Sequence, residues 1–540
     1  MRWIPSPDPL PRDEPHTRRE LLLLAAVLLV HVVLAWILRA PGIAWGEDDA
    51  AYIQLGQQLR HFSYREIQDI AAPIHARFPP GYPLIIALLG WPFSDRLDWL
   101  LALNIMFSAG AIVLVYLAAR RHLGTTLALL LGGLIAVNPT TLFDAGNVMS
   151  EAPFKFLIML GIWALTREED GPRYSVLAAT ALIAAAFTRA AGVVTIPALF
   201  VYWIMQRQYR RAGVLALVCV LTVGMWLAFT FLAPDAQDRR LYVSDLGLGE
   251  QQRSRFAFLW EIVQRLPERI ERMSTRAIPS VLSYPAIAGT LLDNVFWLAA
   301  TVVLGTTGIV VLLRQWPAAA LLLLSYGVLL LIWRYALVRF FSPIVPLMFA
   351  ALLAGADALT RRFAPRRRMA MVATLATLLV VGAAVADDGR LREAAACDRA
   401  NPVESAGCWD QYYRAYLKAA RWVRDSTPAD AVFFVNKERA FYLHSGRKTI
   451  NQDRVLREDS TTVAEFLRAR GVHYTVAAQV GLRENEQNYL LARACRAFVL
   501  LREFPEQTFV LRLREATDAP DNDSACRALA TYQKWRPRRN

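Results

Sequence analysis

Before about residue 387 the chain consists of long apolar runs separated by short polar breaks. Beyond it, apolar and polar positions alternate at the spacings of soluble helices and strands. A membrane-crossing helix needs about twenty mostly apolar residues. The candidate runs are roughly 20–40, 97–119, 124–143, 151–166, 174–188, 191–206, 212–233, 291–313, 317–333, 340–360 and 369–386, about eleven in all. Residues 174–206 are read as two short helices, with one tilted helix as the alternative. The run Tyr82 to Phe93 is too short to cross and is interrupted by Pro83, Gly90 and Pro92, so it is expected to lie along the membrane surface. The first run, Leu21 to Leu38, exceeds the apolar core of a cleavable leader and is followed by only a weak cleavage pattern; an uncleaved anchor is expected.

Past residue 387 the period changes. Gln411–Arg424, Thr462–Arg470 and Leu490–Arg496 have helical spacing, and Gly471 ends the second of these. Ala431–Val435, Val472–Val476, Phe498–Leu501 and Thr508–Leu513 read as strands. The fold expected is therefore an α-helical polytopic membrane domain followed by a small α/β soluble domain. Its parts are an N-terminus 1–19, a membrane domain 20–386 with long loops 41–96 and 234–290, and a soluble domain 387–540. Within the second long loop, Phe256, Leu259, Trp260, Ile262, Val263 and Leu266 fall at helical spacing, which predicts an amphipathic segment on the membrane surface.

Charge orients this layout. With a cytoplasmic N-terminus, the short inside loops 1–19, 120–123, 167–173, 207–211, 314–316 and 361–368 hold 17 Lys and Arg in 46 residues. The outside loops 41–96, 144–150, 189–190 and 334–339 hold 7 in 71. The positive-inside rule then places the N-terminus in the cytoplasm and the C-terminal domain outside, as for a multi-pass membrane protein. A net charge of +14 raises nucleic acid as a partner, but the arginines lie in short clusters between apolar runs, and no basic, aromatic-interleaved surface stands out. With 55% apolar residues in 540, the composition is that of a membrane protein. There is no P-loop, dinucleotide-binding glycine fingerprint or CxxC pair. Four of the five cysteines, Cys397, Cys408, Cys495 and Cys526, fall in the exported domain, where two disulfides are expected. Three pairings are open; Cys397–Cys408, which closes a short loop, together with Cys495–Cys526 is favoured. Cys219 lies in an apolar run. His444 and Ser445 are adjacent but lack a triad context.

Four outward features carry candidate chemistry and are expected to converge. Glu47, Asp48 and Asp49 open a helical pattern with Tyr52 one turn on. His75-Ala76-Arg77-Phe78-Pro79-Pro80-Gly81-Tyr82 closes the same loop. Asp144 to Pro153 contains Glu151, with Lys155 one turn further and placed to pair with it. Arg189, Arg334 and Arg339 sit at outer span ends. Carboxylates can deprotonate a hydroxyl, and arginines can hold a phosphate through two parallel bonds. Together they fit transfer of a group from a membrane-held lipid phosphate.

In Asp48-Asp49 with Tyr52, in Phe78-Pro79-Pro80-Gly81-Tyr82-Pro83, in Ser150-Glu151-Ala152-Pro153 and in Arg339-Phe340-Phe341-Ser342-Pro343-Ile344-Val345-Pro346, the chain resembles the C-type superfamily of integral-membrane glycosyltransferases. Within it, the sequence is similar to the bacterial branch related to protein O-mannosyltransferases and the lipid A aminoarabinose transferase, over roughly residues 20–360. The resemblance implies an inverting glycosyltransferase that moves a hexosyl or pentosyl group from a polyprenyl phosphate to a lipid, glycan or protein acceptor at the outer face of the inner membrane. Asp48, Asp49 and Glu151 would be the catalytic acids. Arg77, Arg189 and Arg339 would bind the donor phosphate, and Tyr52, His75, Tyr82, Asp144 and Lys155 the substrates. Many members carry Asp-Glu where this chain has Asp48-Asp49, and the acidic-basic pair before the Pro element is here Arg77-Phe78. The resemblance names no certain cofactor and leaves room for a divalent cation; the partners it implies are the polyprenyl-linked sugar, the acceptor and membrane lipid, with no nucleic acid. A multi-span transporter or a non-catalytic envelope assembly protein are the alternative classes. The former usually has repeated halves and mid-bilayer charges on broken helices, and the acids here sit in loops.

Overall fold

The computed structural model describes residues 16–43, 47–90, 96–232, 255–285, 291–333, 338–450, 463–480, 484–515, 517–518 and 523–534. Arg334 lies outside them, as does most of the N-terminal half of the loop 234–290. The chain divides into two compact units: residues 1–39 with 76–391, and residues 40–75 with 392–540.

The first unit is helical. Among the described residues, six helices are long and apolar enough to cross a membrane: Arg18–Ile37, Leu97–Leu123, Tyr209–Leu232, Val295–Gln315, Ser342–Phe363 and Pro365–Ala396. A seventh is obtained if Thr125–Ala136 and Pro139–Ala145, bent by 63°, count as one span. Helix length alone thus gives fewer spans than the eleven apolar runs. The other runs form shorter helices, among them Glu151–Thr166, Pro172–Thr188 and Pro317–Ile332. Tyr209–Leu232 leaves Val214, Leu217, Val220, Leu221, Met225 and Leu232 exposed, as hydrocarbon contact requires.

Residues 174–206 are two helices. Arg189 has an extended backbone (φ −149°) that ends Pro172–Thr188, and a 3-10 turn Ala190–Val194 leads into Thr195–Met205. The second helix doubles back on the first, because Thr195 Oγ1 donates to the Leu182 carbonyl (3.2 Å) and Trp203 Nε1 to Glu168 (2.9 Å). Tyr82 to Phe93 opens with the nine-residue helix Gly81–Leu89, and Arg255–Arg272 is helical as its spacing predicts.

Small residues allow the helices to approach closely. A Cβ at Gly308 would lie 1.8 Å from the Ala351 carbonyl oxygen, and one at Gly355 would lie 2.0 Å from that of Leu304. The helices Leu291–Gln315 and Val345–Phe363 therefore touch backbone to backbone, the usual device where hydrocarbon surroundings give no hydrophobic drive to associate.

The second unit holds a five-stranded sheet: β1 (Val432–Val435), β2 (Lys448–Thr449), β3 (Tyr474–Ala477), β4 (Phe498–Phe504) and β5 (Thr508–Leu513). The order is β2-β1-β3-β5-β4; β1 is parallel to β2 and β3, and β5 is antiparallel to β3 and β4. Phe433, Phe434, Val435 and Val476 are buried, as expected of strands covered on both faces. Cys397 is bonded to Cys408 and Cys495 to Cys526, and Cys219 is free.

The same unit includes part of the first loop. Thr449 N–H donates to the Gln68 carbonyl (2.7 Å) and Ile70 N–H to that of Thr449 (3.0 Å), so residues 68–70 extend the sheet beyond β2 and cover its edge. The helix Asp48–Leu59 joins in through Ala50, which shares an apolar cluster with Val403, Trp409, Leu417 and Ala440.

Candidate active site

In the helical unit the sequence candidates meet at helix ends. Glu151 is the first residue of Glu151–Thr166, where an acid is favoured by the helix dipole. Its carboxylate is 1% exposed and pairs with Arg189 (2.8 Å) and Arg339 (3.2 Å). Ser150 accepts a hydrogen bond from Arg189 Nη1 at 3.1 Å. The extended break at Arg189 frees that side chain from a helical surface, and both guanidiniums lie within 6 Å of the Phe340 ring centre, at 5.7 and 5.8 Å.

Arg339 stands in a 3-10 turn, Val338–Phe340, and a second one, Ser342–Ile344, follows before the helix Val345–Phe363. Pro343 and Pro346 are the second residues of the 3-10 turn Ser342–Ile344 and of the helix Val345–Phe363, where an N–H has no partner within the element and its absence costs nothing. This geometry brings Ser342 to Asp144, to whose carboxylate it donates. Lys155 also binds Asp144 (3.2 Å) and reaches Thr141 (3.3 Å). The Glu151–Lys155 pair expected from spacing is therefore not the one formed. Lys155 leans toward the bent segment Pro139–Ala145, and Glu151 is taken by two arginines.

The Pro element lies beside this cluster. A Cβ at Gly81 would stand 2.6 Å from the Phe187 carbonyl carbon and 2.8 Å from Thr188 N, so only glycine fits against the backbone that leads into Arg189. Tyr82 is buried and donates to Asn104 (3.0 Å), whose amide holds the carbonyls of Asn147 (2.5 Å) and Met149 (2.9 Å) just before Glu151. Arg77 is half-buried, with its guanidinium 5.6 Å from the Phe78 ring centre. The result is a buried group of two carboxylates and three cations, Asp144, Glu151, Lys155, Arg189 and Arg339. Its least covered member is Arg339, whose side chain is 31% exposed.

The acids of the first loop belong to the other unit. Glu47 is the N-cap of Asp48–Leu59 with φ 65°, Asp48 is half-buried, and Asp49 and Tyr52 are buried. Asp49 accepts the Ala50 N–H at 2.7 Å. Burial pushes the Asp49 carboxyl up to about 6, and the Asp48 and Glu47 charges add to this against the Ala50 hydrogen bond. Burial likewise raises Glu47, opposed by Arg439 and Lys437.

His75, read from sequence as a surface or substrate-facing side chain, is 1% exposed. Its Nδ1 bonds the Glu66 carboxylate, which also takes the Gln68 amide and a two-bond contact from Arg439 (3.0 and 2.8 Å). The loop buries His75 because its neighbours complete the sheet edge. Burial alone would raise the Glu66 carboxyl; the Arg439 and His75 charges overcome that and hold it well below the usual carboxylate range. His444 Nε2 bonds the Ile43 carbonyl (2.8 Å) and Ser445 its own helix at Phe441 (2.7 Å), so they form no catalytic pair. Among the described residues no three His, Cys, Asp or Glu side chains group as a metal site.

Residue-by-residue reading missed Ser342, Asn104, Glu66 and Arg439. Ser342 lay within the Arg339–Pro346 stretch; Glu66 and Arg439 are 373 positions apart and have no sequence signal joining them.

The fold gives the wider context. No protein-family model and no curated protein matches the sequence. Several solved structures share its fold. ArnT from Cupriavidus metallidurans bound to undecaprenyl phosphate superimposes with a TM-score of 0.56 at 14% identity, over 94% of this chain and 100% of that one. The chain has the fold of the C-type integral-membrane glycosyltransferases. The archaeal oligosaccharyltransferase AglB from Archaeoglobus fulgidus, in complex with an inhibitory peptide and a dolichol-phosphate, gives a TM-score of 0.53 at 14% identity, over 94% of this chain and 76% of that one. The arabinofuranosyltransferase AftD from Mycobacteria gives 0.50 at 14%, over 94% of this chain and 40% of that one.

Proposed function

We propose that this C-type fold is an inverting glycosyltransferase using a polyprenyl-phosphate sugar, with its N-terminus in the cytoplasm and its soluble domain outside the inner membrane. The observation that carries the reading is the pairing of Arg189 and Arg339 on the buried Glu151, beside the glycine-tight Pro element. Two guanidiniums held together in a mostly buried site are suited to a phosphate headgroup. The ArnT structure of the same fold is bound to undecaprenyl phosphate. A transporter or assembly role has no comparable support in the fold.

In the proposed reaction the acceptor hydroxyl gives its proton to Asp48, and its oxygen attacks the anomeric carbon. The bond from that carbon to the phosphate oxygen breaks, and polyprenyl phosphate leaves with one more negative charge than it carried as a diester. Arg189, Arg339 and Arg77 stabilise that growing charge, and the preorganised pair on Glu151 does so without reorganising at the moment of transfer. The test is release of undecaprenyl phosphate by purified protein in lipid discs, offered undecaprenyl-phosphate hexoses and pentoses with an envelope extract as acceptor. Release above that of empty discs is expected for at least one donor; none with any donor rejects the reading.

A further inference from the structure

Arg439 is the second residue of a helix, Glu438–Ser445, that the sequence pattern did not mark. Its guanidinium makes the two-bond contact to Glu66 and lies 3.7 Å from Glu47 Oε2. Its carbonyl accepts from Gln54 Nε2 at 2.9 Å, on the helix that Asp48 begins. Lys437, the residue just before this helix, adds its positive charge near Glu47 and Asp49. One side chain of the soluble domain thus touches both ends of the first-loop segment, Glu47 immediately before Asp48 and Glu66 beyond the helix.

Attachment of the loop does not need these charges. The Gln68–Thr449–Ile70 pairing and the apolar contact of Ala50 with Trp409, Leu417 and Ala440 already provide it. Burying charged groups is costly, so a buried charge network is weak evidence of added stability. The geometry fixed here is unusual: Glu47 is a non-glycine residue at φ 65°, a conformation that persists only when its surroundings hold it. We infer that Arg439 is a positioning residue, which through Glu47 and Glu66 fixes the helix start bearing Asp48 and Asp49 from within the soluble domain. The inference rests on the reading of Asp48 as the acceptor-side base, and it makes the soluble domain part of the catalytic apparatus.

The experiment compares full-length wild type, Arg439→Gln, Arg439→Lys and Glu47→Gln in lipid discs, by amide exchange and by kinetics with undecaprenyl-phosphate sugars. In Arg439→Gln, exchange through residues 48–59 should rise at least about tenfold while β1 and β3 stay protected. Its kcat should fall at least about tenfold, with the donor KM within about twofold, because a displaced base loses rate and not donor affinity. Arg439→Lys should fall between. Should Arg439→Gln lose protection in β1 and β3, Glu47→Gln decides, with the same expectations. Wild-type exchange and kcat in the deciding variant, or a raised donor KM at constant kcat, would overturn the inference. If wild type releases undecaprenyl phosphate from no donor, the functional reading fails, and the exchange data still judge whether Arg439 sets the helix start.

Discussion

Replacing Glu151 by Gln separates two roles for that acid. The change keeps shape and removes the negative charge shared by Arg189 and Arg339, at 2.8 and 3.2 Å. Removing one partner of a buried ion pair costs about 3–5 kcal/mol. Arg339 is 31% exposed and can turn to water, so the lower end, about 3 kcal/mol, is expected. A phosphate on the two guanidiniums would sit roughly 6 Å from the Glu151 carboxylate, and at an effective dielectric near 20 the lost repulsion is worth about 3 kcal/mol. Solvent near Arg339 reduces this, so undecaprenyl phosphate should bind about ten- to a hundredfold tighter to Glu151→Gln. The assay is the melting temperature of the detergent-purified protein with and without undecaprenyl phosphate. Without ligand the variant should melt lower than wild type; the ligand should raise its melting temperature by more than it raises that of wild type. A ligand-induced rise equal to or smaller than that of wild type would refute the placement of the phosphate on this pair.

Other consequences are independent of that one. Arg339→Lys keeps the charge and loses the fork, so the donor KM should rise about tenfold or more, and an unchanged KM would move the clamp elsewhere. Asp49 has a folded-state value of about 6 against an ordinary 3.8, so the folded chain holds this proton more tightly than the unfolded one. Stability is therefore lost as pH rises between these values, up to about 3 kcal/mol above pH 6. Asp49→Asn should raise the melting temperature at pH 7.5 and leave it nearly unchanged at pH 4; an equal effect at both pH values would contradict this. A reporter fused near residue 400 should be active only if it functions after export, and cytoplasmic activity there would reverse the proposed topology.

The parts of the architecture that rest on local pattern were legible in the sequence. The two-helix reading of 174–206 keeps one tilted helix as its alternative, because a pair of short apolar runs has the same composition whether bent or straight; the extended backbone at Arg189 decides for two. The strands β4 and β5 showed in their alternation, whereas β2, two residues long, exists only because β1 and the first loop flank it. Charge partners were less legible. Helical spacing pointed Lys155 at Glu151, but the bend before the helix brings Asp144, 11 positions away, to Lys155, and Arg339, far away in sequence, comes to Glu151. His75 looked exposed because loops usually are; its burial follows from pairing between residues 68–70 and Thr449, which no local signal announces.

The central claim is that an acid at the start of the first-loop helix activates the acceptor for transfer from a polyprenyl phosphate. The direct measurement is the single-turnover rate of transfer from an undecaprenyl-phosphate sugar by wild type, Asp48→Asn and Asp49→Asn, with folding checked by exchange in β1 and β3. A general base typically contributes about a hundred- to ten-thousand-fold, so Asp48→Asn should slow transfer at least about a hundredfold, and Asp49→Asn less. Near-wild-type rates in both folded variants would contradict the account.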